Sequence, residues 1–456
     1  GSVNSKKRGN YVIKYIAMDD SGNFASKSRT VTVKYALLAE KIKANVGENG
    51  AINTSDSEQT FITGTNPNNY VWYSGKLWRA VSIDPSDNSV KMVTQWPMTS
   101  IAYNHSSSST FANSQVDKWL NDTAKDGFLG TLRDYTSFIK TNSTWNATMT
   151  TSNTKPAKTT LVSRAVGLLN RYEFTKSYTG ATMSTGYLNN SMYQYLLTPY
   201  SSSLSTYIYF SGSSSISATS PGAFYAIRPV VNLLPSITTV AGDGSEGNPY
   251  RLEGDYEKPT NGTLLNTRYS GEYVLFNGEK YRIVDSSLYD YTKITKVTPL
   301  TEARAWDSSG GNSYAPNSST HVAYYLNNTW MNSLTEEAQN LMVGEKWYTG
   351  AISPGGSSGD YKSIKVNPVY YRVGLPRYGE LLSSQFGSAE TNKKLWLLTP
   401  GTSSKVVNAL NANGQADSES NSATSYYVRP LLYLYNQFFC YLLILDLFCF
   451  HLFLVL

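Results

Sequence analysis

Cysteine is almost missing from this 456-residue chain: Cys440 and Cys449 are the only two, and both lie close to its end. Disulfide staples, thiol nucleophiles and cysteine zinc sites are therefore excluded from the body of the protein. Histidine is nearly as scarce, with His105, His321 and His451 alone. A Ser-His-Asp site needs a placed imidazole base, and neither His105, in a serine-rich stretch, nor His321, ahead of a helix, has a twin elsewhere; both read as solvent-facing. Charge is sparse too, at 16 % of residues against roughly 25 % in an average globular protein. The excess of 39 Lys+Arg over 33 Asp+Glu gives +6, spread thinly. Without a dense basic block, a nucleic-acid partner is not expected. No His-Glu-x-x-His, P-loop or helix-opening Gly-x-Gly-x-x-Gly occurs.

Ser, Thr, Asn, Gly and 36 Tyr supply the polarity instead, around a 40 % hydrophobic complement. Length predicts two to four domains. Low charge, many hydroxyls and no cysteine in the body suit an extracellular bacterial protein better than a cytosolic enzyme.

Residues 1–35 hold two alternating runs, Tyr11-Val-Ile-Lys-Tyr-Ile-Ala-Met-Asp19 and Arg29-Thr-Val-Thr-Val33, around Asp20-Ser-Gly-Asn23. That pattern predicts a β-hairpin. Tyr15-Ile-Ala-Met-Asp-Asp-Ser-Gly-Asn23 resembles the final strands of bacterial immunoglobulin-like surface modules, which implies a truncated domain of that kind. Residues 36–59 read as a linking helix, Ala36 to Ala44, and a polar linker.

From there the chain is written twice. Tyr70-Val-Trp-Tyr-Ser-Gly-Lys-Leu-Trp-Arg-Ala-Val81 returns as Tyr273-Val-Leu-Phe-Asn-Gly-Glu-Lys-Tyr-Arg-Ile-Val284. Trp119-Leu-Asn121 returns as Tyr325-Leu-Asn327, and Val166-Gly-Leu168 with Glu173 as Val373-Gly-Leu375 with Glu380. Leu196-Leu-Thr-Pro199 and Arg228-Pro229 return as Leu397-Leu-Thr-Pro400 and Arg429-Pro430. One order at a spacing of about 200 residues predicts two tandem units, 60–255 and 256–436.

Each unit reads as α+β. An aromatic hairpin turns at Ser74-Gly75 or Asn277-Gly278. A helix follows, with Val116, Trp119 and Leu120 on one face. Ser333-Leu-Thr-Glu336 offers a capping box, and a shared helix begins near Leu168 and Pro376. Closing strands are expected at Tyr193–Thr198 and Ala226–Leu233, and again at Leu395–Thr399 and Tyr427–Leu434. The apolar tail, 437–456, is compositionally foreign and reads as an artefactual end, a membrane segment or an ordered part of the fold.

In so charge-poor a chain the repeated Glu173/Glu380, Arg228/Arg429 and Arg79/Arg282 stand out. A buried charge needs a partner, so Glu173 with Arg228 and Glu380 with Arg429 are expected as structural ion pairs. The rival role for each Glu is general acid or base. Asp84-Pro-Ser-Asp87-Asn88 and Asp243-Gly-Ser-Glu246 are read as turns rather than calcium loops; no metal site and no cofactor is expected. The loop Tyr200 to Pro221 and its counterpart Gly401 to Ser425 combine Tyr with Ser and Gly, as adaptable recognition surfaces do. Tyr200, Tyr207, Tyr209, Phe210, Tyr426 and Tyr427 are the expected ligand-binding residues.

The order of these motifs resembles modules of large Firmicutes surface proteins that commonly follow immunoglobulin-like domains. A Leu-Thr-Pro strand, a variable loop and an Arg-Pro strand are also similar to C-type-lectin-like folds, whose formylglycine-generating branch needs cysteines that these units lack. The resemblance implies a non-enzymatic, adhesin-like protein of the bacterial cell surface. Its expected partner is an extracellular glycan or a host or bacterial surface protein, with membrane contact only through the tail. A carboxylate-dependent glycan hydrolase and a passive surface spacer are the rival expectations.

Overall fold

The computed structural model of the chain describes residues 2–4, 8–124, 127–178, 185–190, 192–211, 213–255, 264–286, 290–349, 367–384, 393–400, 406–410, 416–436, 440–441 and 452–455. The first alternating run folds as strand β1 (Gly9–Met18) and the second as β2 (Phe24–Val33), paired antiparallel from Gly9 opposite Val33 to Met18 opposite Phe24. The Asp19 carboxylate closes the tip by accepting from the backbone N–H of Ser21 and Asn23. Among the described residues no second layer covers these two strands, and Val12, Ile16, Met18 and Phe24 stand exposed.

Helix α1 (Leu38–Ala44) corrects the expected linker. Leu38, Ala39 and Ile42 are buried in the core of unit one, because their spacing puts them on one helical face. Unit one thus takes in most of 36–59: β3 (Gly50–Asn53) pairs with β4 (Thr60–Gly64).

The aromatic hairpin is β5 (Tyr70–Tyr73) and β6 (Lys76–Ile83), with Ser74 at φ 53° and Gly75 at φ 72°. Two successive left-handed residues suit the right-handed twist of the strands. Next come β7 (Val90–Thr94), β8 (Thr99–Ala102), α2 (Gln115–Leu120), α3 (Tyr135–Phe138), β9 (Ser143–Asn146), β10 (Leu161–Arg164), β11 (Val166–Gly167) and α4 (Arg171–Thr175). The unit ends with β12 (Gln194–Ser201), β13 (Leu204–Ser211), β14 (Ser213–Thr219), β15 (Phe224–Ile227), β16 (Val230–Leu233), β17 (Thr239–Ala241) and β18 (Tyr250–Leu252). Its main sheet runs β11-β16-β7-β6-β5-β18-β17, and a second sheet runs β14-β13-β12-β15-β8.

Two expectations are corrected here. The closing strand is broken at Arg228-Pro229, where the chain passes from the second sheet to the main one, since proline cannot donate to a ladder. The expected loop after Leu-Thr-Pro is instead the hairpin β13–β14, paired from Ser205 opposite Thr219 to Ser211 opposite Ser213.

Unit two opens with β19 (Tyr273–Phe276) and β20 (Glu279–Asp285) around Asn277 at φ 49° and Gly278 at φ 74°. It continues through β21 (Tyr291–Lys296), α5 (Val322–Tyr324), α6 (Glu336–Leu341), β22 (Met342–Val343), β23 (Glu345–Tyr348), β24 (Pro368–Tyr371), β25 (Val373–Gly374) and α7 (Tyr378–Ser383). Then come β26 (Leu395–Pro400), β27 (Val406–Leu410), β28 (Ala416–Ser420), β29 (Leu431–Tyr435), β30 (Cys440–Tyr441) and β31 (Leu452–Val455). The main sheet runs β22-β29-β21-β20-β19-β31-β30, with β25 also on β29, and β26-β27-β28 form a smaller one. The cap of α6 is Thr335 rather than Ser333, its side chain accepting from Ala338 N–H.

The architecture is therefore α+β, mostly sheet with short helices. Of the tail, Cys440–Tyr441 and Leu452–Val455 are described. Backbone of β31 pairs parallel with β19, on the edge where β18 pairs parallel with β5 in unit one. No helix among the described residues is long and apolar enough to cross a membrane.

Candidate functional site: a polar groove over a buried ion pair

Strand β7 carries one lysine, Lys91, among apolar neighbours, and α4 carries Glu173 in its first turn. The helix starts here because Asn170 Oδ1 accepts from Glu173 N–H at 2.9 Å while Glu173 Oε2 accepts from Asn170 N–H at 3.0 Å. Glu173 Oε1 forms an ion pair with Lys91 Nζ, whose ammonium lies 5.5 Å from the centroid of the Trp145 ring. Trp145 donates to Arg164 O at 2.9 Å and covers Gly167, where an added Cβ would stand 2.4 Å from the ring. Asn121 grips Val166 on both sides, donating to its carbonyl at 3.0 Å and accepting from its N–H at 3.0 Å.

The same contacts occur in unit two. Lys293 Nζ lies 2.5 Å from Glu380 Oε1 and 5.1 Å from the Trp347 ring centroid. Trp347 donates to Tyr371 O at 2.8 Å and covers Gly374, with 2.5 Å for a Cβ. Asn327 grips Val373 at 2.8 and 3.0 Å. Burial would lift the Glu380 carboxyl, but Lys293 and Arg377 outweigh it and hold it at about 2.

The expected pairs Glu173–Arg228 and Glu380–Arg429 are thus corrected: the partners are Lys91 and Lys293. Arg228 donates instead to Thr94 O at 2.9 Å and Leu188 O at 2.7 Å, and burial with the nearby Arg79 brings it down to about 9. Arg429 donates from Nε to Lys296 O. Arg79 lies between the Tyr70 and Tyr187 rings, 3.6 and 4.7 Å from their centroids, and Arg282 lies 4.1 Å from that of Tyr273. The arginines were misassigned because proximity of charge was inferred without geometry. The lysines could have been found: each lies in a matching strand between apolar or hydroxyl residues, Val90-Lys-Met-Val-Thr94 and Thr292-Lys-Ile-Thr295.

Lys91 and Glu173 line an open groove of about 630 Å³, walled mainly by Ser, Thr and Asn side chains with Lys140, Lys155 and Lys158. Each of these lysines faces a carboxylate. Lys155 lies 2.7 Å from Asp56 and 3.3 Å from Glu58, Lys158 lies 2.8 Å from Glu58, and Lys140 lies 3.0 Å from Asp87. Lys158 holds Glu58 below the usual carboxylate range. Burial would raise Asp56, but hydrogen bonds from Lys155, the Glu58 N–H and Tyr172 bring it down. Hydrogen bonds of this kind favour the ionised form of both carboxylates.

The aromatic candidates part company. Tyr200 is 38 % exposed. Tyr426 is 1 % exposed and stacks on Trp396 at 4.3 Å, so it is core and not a ligand surface. Tyr427 is half-buried against Leu381, Leu395 and Leu397, with Lys393 Nζ 4.0 Å from its ring centroid. Tyr207, Tyr209 and Phe210 lie on β13, with Tyr207 backbone opposite Tyr195 and Ser217; their side chains lie outside the described residues. His105 is exposed as expected, but His321 is buried. Its Nδ1 accepts from Ala323 N–H at 2.9 Å and caps α5, and burial lowers it to about 4. Asp84 and Asp243 accept from Ser86 and Ser245 within their own turns, and no metal-binding group of three His, Cys, Asp or Glu occurs among the described residues.

Compared with family models, with curated proteins and with solved structures, the chain matches none.

Proposed function

We propose that this is a bacterial cell-surface protein, adhesin-like and non-enzymatic, whose two units are tandem copies of one C-type-lectin-like module and whose groove in unit one binds a neutral extracellular glycan. The tandem reading is supported by the Lys–Glu–Trp–Gly contacts and the paired Asn clamps of both units. The lectin-like reading rests on the sequence order of Leu-Thr-Pro, intervening hairpin and Arg-Pro.

One observation carries the binding reading: the groove is wide and polar, and its lysines are matched by carboxylates. Such a surface offers hydroxyl and amide hydrogen bonds to an uncharged polyhydroxylated ligand and no surplus cation to an acidic one. Two modules on one chain also gain avidity.

The test is a glycan array on the full chain, followed by Asn142→Ala with Thr144→Ala, both exposed side chains of the groove wall. Loss of a neutral-glycan signal with unchanged unfolding supports the assignment. An unchanged signal moves the site elsewhere, with Tyr200 and the β13–β14 hairpin next. Absence of any glycan or surface-protein binding leaves the spacer, and release of sugar from a bound glycan restores the hydrolase.

A further inference from the structure

Unit two is built differently at the place where unit one has its groove. Lys91 on β7 stands opposite Asn232, whereas its counterpart Lys293 stands opposite Tyr433. Ser89, two residues ahead of Lys91, lines the groove with Asn232 and Asn170. Tyr291 holds the position two residues ahead of Lys293, and Arg377 stands at the N-cap of α7 where Asn170 stands at that of α4. The Tyr433 ring lies 5.1 Å from the Trp347 ring, with Lys293 Nζ 4.7 Å from its centroid. A buried tyrosine thus covers the ion pair where unit one has an asparagine.

Residues two apart on a strand share a face, so Tyr291 and Tyr435 continue the row of Lys293 and Tyr433. They stand directly opposite each other, their rings 5.6 Å apart at 62°. Tyr370 comes in from β24, its ring edge so close to Gly344 that a Cβ there would stand 2.9 Å away. It is also one of the groups that act on the Tyr291 hydroxyl. Tyr370 is 64 % and Tyr435 40 % exposed, and Tyr291 is half-buried.

We propose that Tyr291, Tyr370 and Tyr435 form a second sugar-binding surface, which holds a neutral pyranose by stacking on its apolar ring face rather than by the hydrogen-bonding walls used in unit one. This rests on the glycan reading of the chain but not on the groove itself. Each tyrosine offers a flat apolar ring with a hydroxyl at its rim, matching the C–H face and hydroxyl edge of a pyranose. Glu345 and Asp290 lie beside the Tyr291 hydroxyl, while Lys346 stands opposite Tyr370. Charges of both signs therefore edge the rings, and no field of one sign selects an acidic or a cationic ligand. The carboxylate and phenol oxygens also accept from sugar hydroxyls. A protein partner would need an apolar centre. Among the described residues of unit two, the one other exposed large apolar side chain is Leu264, on the segment leading into the unit.

The test is isothermal titration calorimetry of the full chain with cellotetraose and chitotetraose, whose equatorial substituents leave both ring faces apolar. At least one should bind, and Tyr370→Ala and Tyr435→Ala should each weaken it about threefold to tenfold. Tyr370→Phe and Tyr435→Phe keep the ring and should retain most of the affinity. Asn142→Ala with Thr144→Ala should leave this binding unchanged, which separates a failure of the groove from a failure of the rings. Binding of neither sugar, binding that survives both alanines, or binding lost with the groove substitutions overturns the second surface. Losses from phenylalanine as large as those from alanine also overturn it, because stacking would then not hold the ligand. Should an alanine variant unfold, NMR of ring-labelled tyrosine in the unaltered chain decides: Tyr370 and Tyr435 signals that shift on adding the sugar uphold the proposal, and unmoved signals end it.

Discussion

The hairpin turns of the two units have nearly the same backbone and quite different surroundings. Ser74 and Asn277 both take left-handed φ, and each accepts a hydrogen bond from the segment after the helix, Arg133 N–H in one case and Thr335 N–H in the other. Yet Ser74, Gly75 and Lys76 are buried beneath the lead-in to unit two, while Gly278, Glu279 and Lys280 are exposed. The internal contacts of the turn recur because they stabilise one unit by itself. What covers the turn depends on the neighbour, and there the residues diverge, from Ser-Gly-Lys to Asn-Gly-Glu.

The largest effects should come at the two ion pairs. Lys91→Met strands the buried Glu173 carboxylate, and breaking such a pair costs about 3–5 kcal/mol, whereas Glu380 keeps Arg377 at 3.3 Å when Lys293 is replaced. Urea unfolding should show the larger loss for Lys91→Met, and Lys91→Met with Glu173→Leu should regain most of it. Equal losses for Lys91→Met and Lys293→Met would mean that Arg377 does not support Glu380.

Next comes a difference between the helix caps. Ser114 caps α2 through its hydroxyl, accepting from Asp117 N–H, whereas neutral His321 caps α5. The folded His321 lies at about 4 against an ordinary 6.5, so the folded state binds fewer protons between these values. Its stabilising contribution is present above pH 6.5 and is lost as pH falls toward 4. Unfolding midpoints at pH 7.5, 5.5 and 4.5 should decline, by up to about 3 kcal/mol, and His321→Ser should flatten much of that decline.

Gly75→Ala and Gly278→Ala sharpen the comparison of turns. Both pay for a left-handed alanine, about 1 kcal/mol. Gly75→Ala adds the collision with Tyr269, about 1–3 kcal/mol more, while Gly278 has open space around it. Equal losses would mean that unit two does not cover the turn in solution. Asn121→Ala and Asn327→Ala, which leave one strand edge unclamped, should cost about 1–3 kcal/mol each, alike in both units by thermal unfolding.

Much of this was legible beforehand. Alternation around Ser74-Gly75 and Asn277-Gly278 gave both hairpins, because two left-handed positions admit few residue pairs. Val116, Trp119 and Leu120 gave the buried face of α2. The polar partners were harder to read, since ion pairing depends on which side chains converge across sheet and helix. Glu173 was correctly singled out as repeated, but its partner Lys91 lies 82 residues away in sequence and reaches it only because β7 and α4 meet over Trp145. Tyr426 carried the composition of a recognition surface and turned out to stack on Trp396, a contact that composition does not encode.

What the sequence by itself determined is the sequence-local part: the turns, the helix faces, the absence of thiol chemistry and the recurrence of one motif order. Those follow from backbone sterics, side-chain periodicity and residue inventory, which act over a few residues at a time. The tertiary structure alone decided the rest. It sent the chain from one sheet to the other at Arg228-Pro229, matched Lys91 and Lys293 to their glutamates, turned the expected loop into β13–β14, and buried Lys76 beside the turn that meets Tyr269. Each of these outcomes depends on desolvation and charge pairing between segments far apart in sequence, and those energies exist only once the segments have been brought together.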